Sequence, residues 1–227
     1  MWKELVDLMR SEDMLLQAWD ASHTMLEVDQ EMMLEAVRIL RESDDAEINR
    51  EIRKKDKLVN QYERDVRRMV MTHCSLRGAS ELPSGMALIS IVMDIERIGD
   101  LTKNIVDLAV IHPSRLVIPE CDEQLKLIEE TIKSRFAATI ETLQTQDEEQ
   151  ANLLVSTHKE EVTRVASAIL DKIIIGDIKS LSAPDAAVAA LYLAYMKRIG
   201  AHLKNVATSV VHPIEWIGYR RVKTDKA

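Results

Sequence analysis

The chain has 227 residues, of which 46% are hydrophobic, and carries a formal net charge of −8 at pH 7. The apolar content is enough for a folded core and excludes global disorder, while the acidic balance disfavours binding to nucleic acids. The sequence contains no run of about 18 apolar residues and no signal-like N-terminus, so we predict a soluble cytoplasmic protein. Cys74 and Cys121 are isolated and are predicted to be free thiols.

Long helices are predicted because glycine and proline are absent before Gly78 and between Pro119 and Gly176. In the first half, apolar residues recur every three or four positions in a helix that starts near Ser11. The segment Ser43–Glu47 is expected to end this helix and to supply the capping box of the next. A third helix should stop before His112-Pro113, because the residue before a proline disfavours helix.

The second half repeats this plan. Its helices are predicted from about Asp122 to Gln144, from Asp147 to about Ile175, and from the start signal at Ser182 to His212-Pro213. The sequence therefore predicts an all-α fold of two tandem three-helix bundles, with six long helices related by a pseudo-two-fold repeat. The first repeat covers residues 1–113 and the second covers residues 114–227.

The two ends of the chain extend beyond this plan. Met1–Arg10 has an amphipathic pattern and is expected to dock on its own bundle, with docking on a partner as the alternative. The C-terminal tail is basic, and the default expectation is that it is solvated, with a weak contact to anionic lipids as the alternative. Its charged residues are Arg220, Arg221, Lys223 and Lys226.

An internal repeat supports the duplication. The segment Met93–Ile105 and the segment Met196–Val206 both contain Arg-Ile-Gly, followed after three residues by Lys-Asn. Glu96 and Asp100 of the first copy are replaced by lysine and alanine in the second. A pair of carboxylates is therefore present in only one half.

The third predicted helix carries a polar stripe on an otherwise apolar surface. The stripe is formed by residues spaced by four, four and three, namely Glu96, Asp100, Asn104 and Asp107. A matching set on the second helix consists of Asp56, Asn60 and Glu63. If the two helices pack antiparallel, these oxygens face one another and suit a hard cation such as Mg²⁺, Mn²⁺, Ca²⁺ or ferric iron. Gly99 within the stripe suggests the close approach of another helix or an ion.

Two other interpretations remain open at this point. The acidic stripe could be a solvated face of a purely structural helical adaptor, or part of a metal-dependent oxidase or hydrolase. The sequence has no glycine-rich phosphate loop, no GxSxG, no HExxH and no nucleophile with an evident base, so we predict no enzymatic activity. His112 and His212 are expected at helix ends and His73 in the core.

The motifs resemble those of a known family. Glu96-Arg97-Ile98-Gly99-Asp100, followed by Asn104-Ile105, resembles the signature helix of the PhoU family, the phosphate-uptake regulators of bacteria and archaea. Asp56-x-x-Val59-Asn60-x-x-Glu63 resembles the other family motif, on the preceding helix. Together with the duplicated three-helix plan, the resemblance covers about residues 12 to 215.

The resemblance implies a homodimeric, non-enzymatic regulator of phosphate uptake and phosphate-starvation signalling. Its expected partners are a phosphate transporter subunit, a sensor histidine kinase or both, and it would be peripheral to the membrane through them. The alternative is an accessory adaptor, without metal, of a sodium- or proton-coupled phosphate permease.

Members of this family bind clusters of iron or zinc, which implies iron or zinc at the carboxylate site of the first repeat. Manganese and magnesium are the further candidates, because they suit its oxygen donors. Carried over by motif, the ligands are Asp56, Asn60, Glu63, Glu96, Asp100 and Asn104. A second cluster is not expected in the second repeat. Its residues at the corresponding positions are Lys159, Thr163, Ala166, Lys197, Ala201 and Asn205.

Overall fold

The computed structural model describes residues 14–47 and 49–219. The predictions for Met1–Arg10, for the helix start at Ser11 and for the basic tail lie outside the described residues. Within them the chain is helical and contains no strand. The helices are α1 (Met14–Glu42), α2 (Arg50–Arg77), α3 (Leu82–Ile111), α4 (Asp122–Thr145), α5 (Glu148–His158), α6 (Val165–Ile174) and α7 (Ala183–Val211).

Helices α5 and α6 form one continuous helix, because a π-helical turn at Lys159–Arg164 joins them without a break. The predicted all-α fold with six long helices is confirmed when this pair is counted as one. None of the described helices is long and apolar enough to cross a lipid bilayer.

Most helix ends lie where the sequence signals place them. Helix α3 ends before His112, and Ser182 and Asp185 form a reciprocal capping box at the start of α7. The prediction for the start of α2 was wrong. Asn49 is its N-cap and accepts hydrogen bonds from the backbone N–H groups of Glu51 and Ile52. An asparagine oxygen can reach these two donors directly, whereas Ser43–Glu47 ends too early to do so.

In the first repeat, α1, α2 and α3 pack against one another as an up-down-up bundle. In the second repeat, α4, the α5–α6 helix and α7 do the same. The last helices of the two bundles, α3 and α7, also pack together, and the buried apolar residues of both repeats form one continuous core. At this junction Asp94 on α3 accepts hydrogen bonds from His202 at 2.6 Å and Asn205 at 3.1 Å.

A second link between the repeats is built on Arg41 at the end of α1. Its guanidinium donates to the carboxylates of Asp122 and Glu129 on α4 and to the carbonyl oxygen of Leu116. The Tyr192 hydroxyl of α7 donates to the same Glu129 carboxylate at 2.8 Å. Burial raises the pKa of Glu129, and the charge of Arg41 opposes that rise. Arg41 therefore compensates a partly buried carboxylate at the contact between the bundles.

We expect Arg41→Met to lower the free energy of unfolding by about 3 kcal/mol, because it leaves the largely desolvated Glu129 carboxylate without its cation. Arg38→Met is the matched control. Arg38 pairs with Glu35 on the exposed face of the same helix, and its loss should cost less than about 1 kcal/mol. Urea unfolding of the two variants measures both values, and equal losses would contradict a special role for Arg41.

Candidate functional site: an acidic cluster in the first repeat

The acidic cluster forms where α3 passes close to both α1 and α2. Gly99 lies at this crossing, and a Cβ atom added to it would be 2.8 Å from Asp29 Oδ1 and 3.4 Å from the Val59 side chain. A side chain larger than hydrogen would push the helices apart. The glycine within the predicted polar stripe is thus explained by close helix packing.

Two of the predicted site residues, Asp56 on α2 and Asp100 on α3, are bridged by a lysine. Lys103 donates from Nζ to Asp56 Oδ1 at 3.0 Å and to Asp100 Oδ1 at 2.8 Å. Burial alone would lower the pKa of Lys103, but its hydrogen bonds to the two carboxylates outweigh burial and hold the pKa above its ordinary value. The structure therefore brings the polar faces of α2 and α3 together around an ammonium group.

Glu96 and Glu63 form the next layer of the cluster. Burial raises the pKa of Glu96, and the nearby charges of Asp100 and Glu63 raise it further. Glu63 is paired with Arg67 on its own helix at 2.7 Å. Arg97 lies farther from Glu96, at 3.7 Å, so it compensates this carboxylate only weakly.

The two predicted asparagines lie on the same faces. The Asn60 amide donates from Nδ2 to the backbone carbonyl oxygen of Asp56 at 2.8 Å. Asn104 is half-buried, one turn after Asp100 on α3. Asp107, at the end of the stripe, instead pairs with Arg53. The structure thus brings together Asp56, Glu63, Glu96 and Asp100, while Asn60 and Asn104 each lie one turn from one of these acids on the same helix.

The sequence-based prediction missed Asp29, which is the most buried acid of the cluster. It is fully buried on α1, and neither carboxylate oxygen has a hydrogen-bond partner among the described residues. Burial raises the pKa of Asp29 well above its ordinary value, and the charges of Glu96, Asp56 and Asp100 raise it further, while the backbone of Gly99 acts in the opposite direction.

A signal for Asp29 was present in the sequence. It lies three residues after Leu26 and four before Met33, at a position of the apolar stripe of α1 that should hold a hydrophobic residue. An acid at such a position is buried in any bundle that uses the stripe, and a buried carboxylate requires compensation.

The chemistry of these residues can be compared with that of a metal site. Carboxylate oxygens from all three helices of one bundle suit a hard cation. The Asp29 oxygens have no hydrogen-bond partner among the described residues, and a bound cation would compensate their charge. However, within the described residues no three His, Cys, Asp or Glu side chains already converge in a metal-holding arrangement. Lys103 instead lies between two of the acids. The donor set therefore fits a metal, with Lys103 in competition for it, and the predicted metal ligands stay a prediction.

The second repeat has the same crossing with different chemistry. A Cβ atom added to Gly200 would be 2.9 Å from the Val162 side chain and 3.0 Å from that of Ile132. By comparison with Gly99, Val162 occupies the place of Val59, and Ile132 occupies the place of Asp29. The π-helical turn lies at this crossing. The buried acid of the first repeat is therefore replaced by a hydrocarbon side chain.

By the same alignment, the positions of Asp56, Asn60 and Glu63 on α2 are occupied in the second repeat by Lys159, Thr163 and Ala166, as the sequence repeat predicts. On α7, Lys197 donates to Ser167 Oγ at 3.2 Å. His158 lies next to Gly200 at the same crossing, and burial lowers its pKa to about 4, so this imidazole is neutral at pH 7. Only the first repeat retains the acidic cluster.

These features define a class of protein: a duplicated three-helix bundle protein with an acidic cluster in one of its two repeats. Residues 23–109 match the family model described as the PhoU domain. The matched region contains every residue of the acidic cluster, from Asp29 to Asn104. The match lies within the first repeat, and the resemblance identified from the motifs is confirmed.

Two solved structures share the fold across nearly the whole chain. PhoU from Pseudomonas aeruginosa is 20% identical with a TM-score of 0.72, and the match covers 91% of this chain and 96% of that one. The phosphate transport system regulatory protein PhoU from Streptococcus pneumoniae is 19% identical with a TM-score of 0.75, and the match covers 88% and 95%. No curated protein matches the sequence. The structural matches show that both repeats have the PhoU fold.

We expect Asp29→Asn to stabilise the metal-free protein by about 1–2 kcal/mol. The change removes a buried acid that has no hydrogen-bond partner in the described part of the chain and lies near three other carboxylates. Asp20→Asn, an equal change at an exposed position of the same helix, should alter stability by less than about 0.5 kcal/mol. The free energy of unfolding, measured in the presence of a chelator, tests both values. A loss of stability in the Asp29 variant would show that this carboxylate already has a favourable partner.

Proposed function

We propose that this protein is a cytoplasmic regulator of phosphate uptake and phosphate-starvation signalling. It acts through contacts with a phosphate transporter subunit, a sensor histidine kinase or both, and it reaches the membrane through those partners. The observation that carries the proposal is the coincidence of the PhoU-domain match with the acidic cluster. The similarity to a structure described as a phosphate transport system regulatory protein supports the same role.

In this proposal the protein regulates without catalysing a reaction, and it functions as a homodimer without binding nucleic acid. Three of the site carboxylates are already engaged by cations: Asp56 and Asp100 by Lys103, and Glu63 by Arg67. Groups held in this way stabilise a helix arrangement. Asp29, which has no such partner among the described residues, is fully buried, whereas a catalytic acid or base must lie next to a bound substrate.

The cluster is proposed to hold iron, zinc, manganese or magnesium. Asp29, Asp56, Glu96 and Asp100 would supply carboxylate oxygens, with Asn60, Glu63 and Asn104 on the same facing sides. An all-oxygen donor set favours iron, manganese or magnesium over zinc, which more often takes nitrogen and sulfur ligands. Such an ion would supply the positive charge that the buried Asp29 lacks.

We expect the purified wild-type protein to contain stoichiometric metal and the Glu96→Ala/Asp100→Ala double variant to contain none. Glu148→Ala/Glu149→Ala is the control, because it removes the same charge from an exposed helix start in the second repeat. Elemental mass spectrometry after purification without a metal-chelating step gives the answer. The absence of metal from the wild-type protein would rule out the metal proposal and leave the regulatory role in place.

A second candidate function is favoured by Lys103, which already compensates Asp56 and Asp100 without a metal. On this alternative the protein is a metal-free accessory adaptor of a sodium- or proton-coupled phosphate permease. The two candidates differ in the transporter that co-purifies with the protein from detergent-solubilised membranes, and in whether the double variant keeps its function.

For either transporter, deletion of the gene should change phosphate uptake and phosphate-responsive expression. Wild-type protein and the Glu148→Ala/Glu149→Ala control should restore both, whereas the Glu96→Ala/Asp100→Ala variant should fail if the acidic cluster is required. Uptake of labelled phosphate at low and high external phosphate measures the effect. Unchanged uptake and expression at every phosphate level would exclude the proposed function.

A further inference from the structure

The first repeat presents an apolar groove that the acidic cluster does not use. We propose that this groove, between α2 and α3, is the docking site of the protein's own N-terminal segment, residues 1–13. The groove is formed by Val70, Met71, Cys74, Leu82, Met86 and Ile89 and has a volume of about 390 Å³. We call it the α2/α3 groove.

The α2/α3 groove exposes large apolar side chains at the surface. The exposed fractions are 65% for Met71, 47% for Leu82 and 49% for Met86. The groove residues carry no charge, and two of them are methionines, whose flexible side chains adapt well to an apolar partner. A contiguous apolar surface of this kind marks a docking site more often than isolated exposed residues do.

The start of α1 lies at the same level along the bundle axis as the groove, and we call this level the height. Gly99 of α3 contacts Asp29 of α1, and Gly85, fourteen residues earlier on α3, is at the height of Cys74 and Val70. Since α1 and α3 run in the same direction, the residue of α1 at the height of Gly85 is Leu15. The segment before Met14 therefore joins the bundle at the level of the groove.

The length of the segment is sufficient to reach the groove. Neighbouring helix axes lie about 8–10 Å apart. Thirteen residues span about 20 Å as a helix and about 43 Å when extended. Either conformation allows the segment to pass from Met14 to the outer side of α2 and α3.

The sequence of the segment fits an apolar, uncharged groove. Trp2, Leu5 and Leu8 recur at a spacing of three, which puts them on one side of a helix, and Lys3 and Asp7 fall on the other side. Docking would bury the apolar side and leave the charged side in water. The groove has the volume for a few large side chains of this kind.

Cys74 lies half-buried in the groove, so the rate at which a thiol reagent modifies it reports whether the groove is covered. The other cysteine, Cys121, is only 1% exposed and should not react. We expect a thiol reagent to modify Cys74 about tenfold faster in a variant lacking residues 2–10, the ratio that corresponds to docking favoured by about 1.4 kcal/mol. Leu5→Asp should accelerate the reaction similarly, whereas Lys3→Asp, which adds the same side chain on the opposite side, should not. Circular dichroism and the unreactive Cys121 show that each variant remains folded.

Equal labelling rates in the full chain and the truncated variant would overturn the proposal. A rate that rises on dilution in both proteins would also overturn it, because a second copy of the chain would then be the occupant of the groove. As an independent test, a Leu5→Cys variant should form a disulfide with Cys74 under mild oxidation, and a Lys3→Cys variant should do so far less. Equal cross-linking of the two variants contradicts the predicted orientation of the segment.

Discussion

The close approach of three helices at Gly99 is the constraint on which the rest of the first repeat depends. With no side chain on this residue, α3 packs against Asp29 of α1 and Val59 of α2. The same approach excludes water from Asp29 and brings it near the acids of α2 and α3. The packing that completes the apolar core therefore also creates the acidic cluster, and the two cannot be altered separately at this position.

The cluster combines compensated and uncompensated charge. Lys103 holds Asp56 and Asp100 in ion pairs. Asp29 has no hydrogen-bond partner within residues 14–47 and 49–219, and burial raises its pKa. A buried polar group without a partner typically costs a few kcal/mol, which is a large fraction of the stability of an ordinary domain. Such a cost is tolerated most readily where function requires it, and this is the physical reason that we propose the functional site in the first repeat.

The two repeats use the same close helix crossing at a glycine but surround it with different side chains. Gly99 and Gly200 sit at equivalent crossings, but Ile132 and Val162 make the second crossing apolar. The second crossing therefore contributes apolar side chains to the core and no carboxylate at the position of Asp29. Helix α7 packs against α3 and joins the cores of the two repeats. Arg41 and its partners Asp122 and Glu129 reinforce the contact between the repeats. The second repeat thus supports the bundle that carries the acidic cluster.

The sequence by itself determined the helices, their duplication and the acidic faces of α2 and α3, because helical periodicity and the spacing of Glu96, Asp100 and Asn104 are local properties of the chain. It also located the start of α7, where the capping box at Ser182 lies within four residues. Only the tertiary structure showed that Asp29 of α1 joins the cluster, that Lys103 bridges α2 and α3, and that Arg41 links the repeats. Lys103 and Asp56 are 47 positions apart in the sequence, and Arg41 and Glu129 are 88 apart. The strength of such contacts depends on burial, which no local pattern measures.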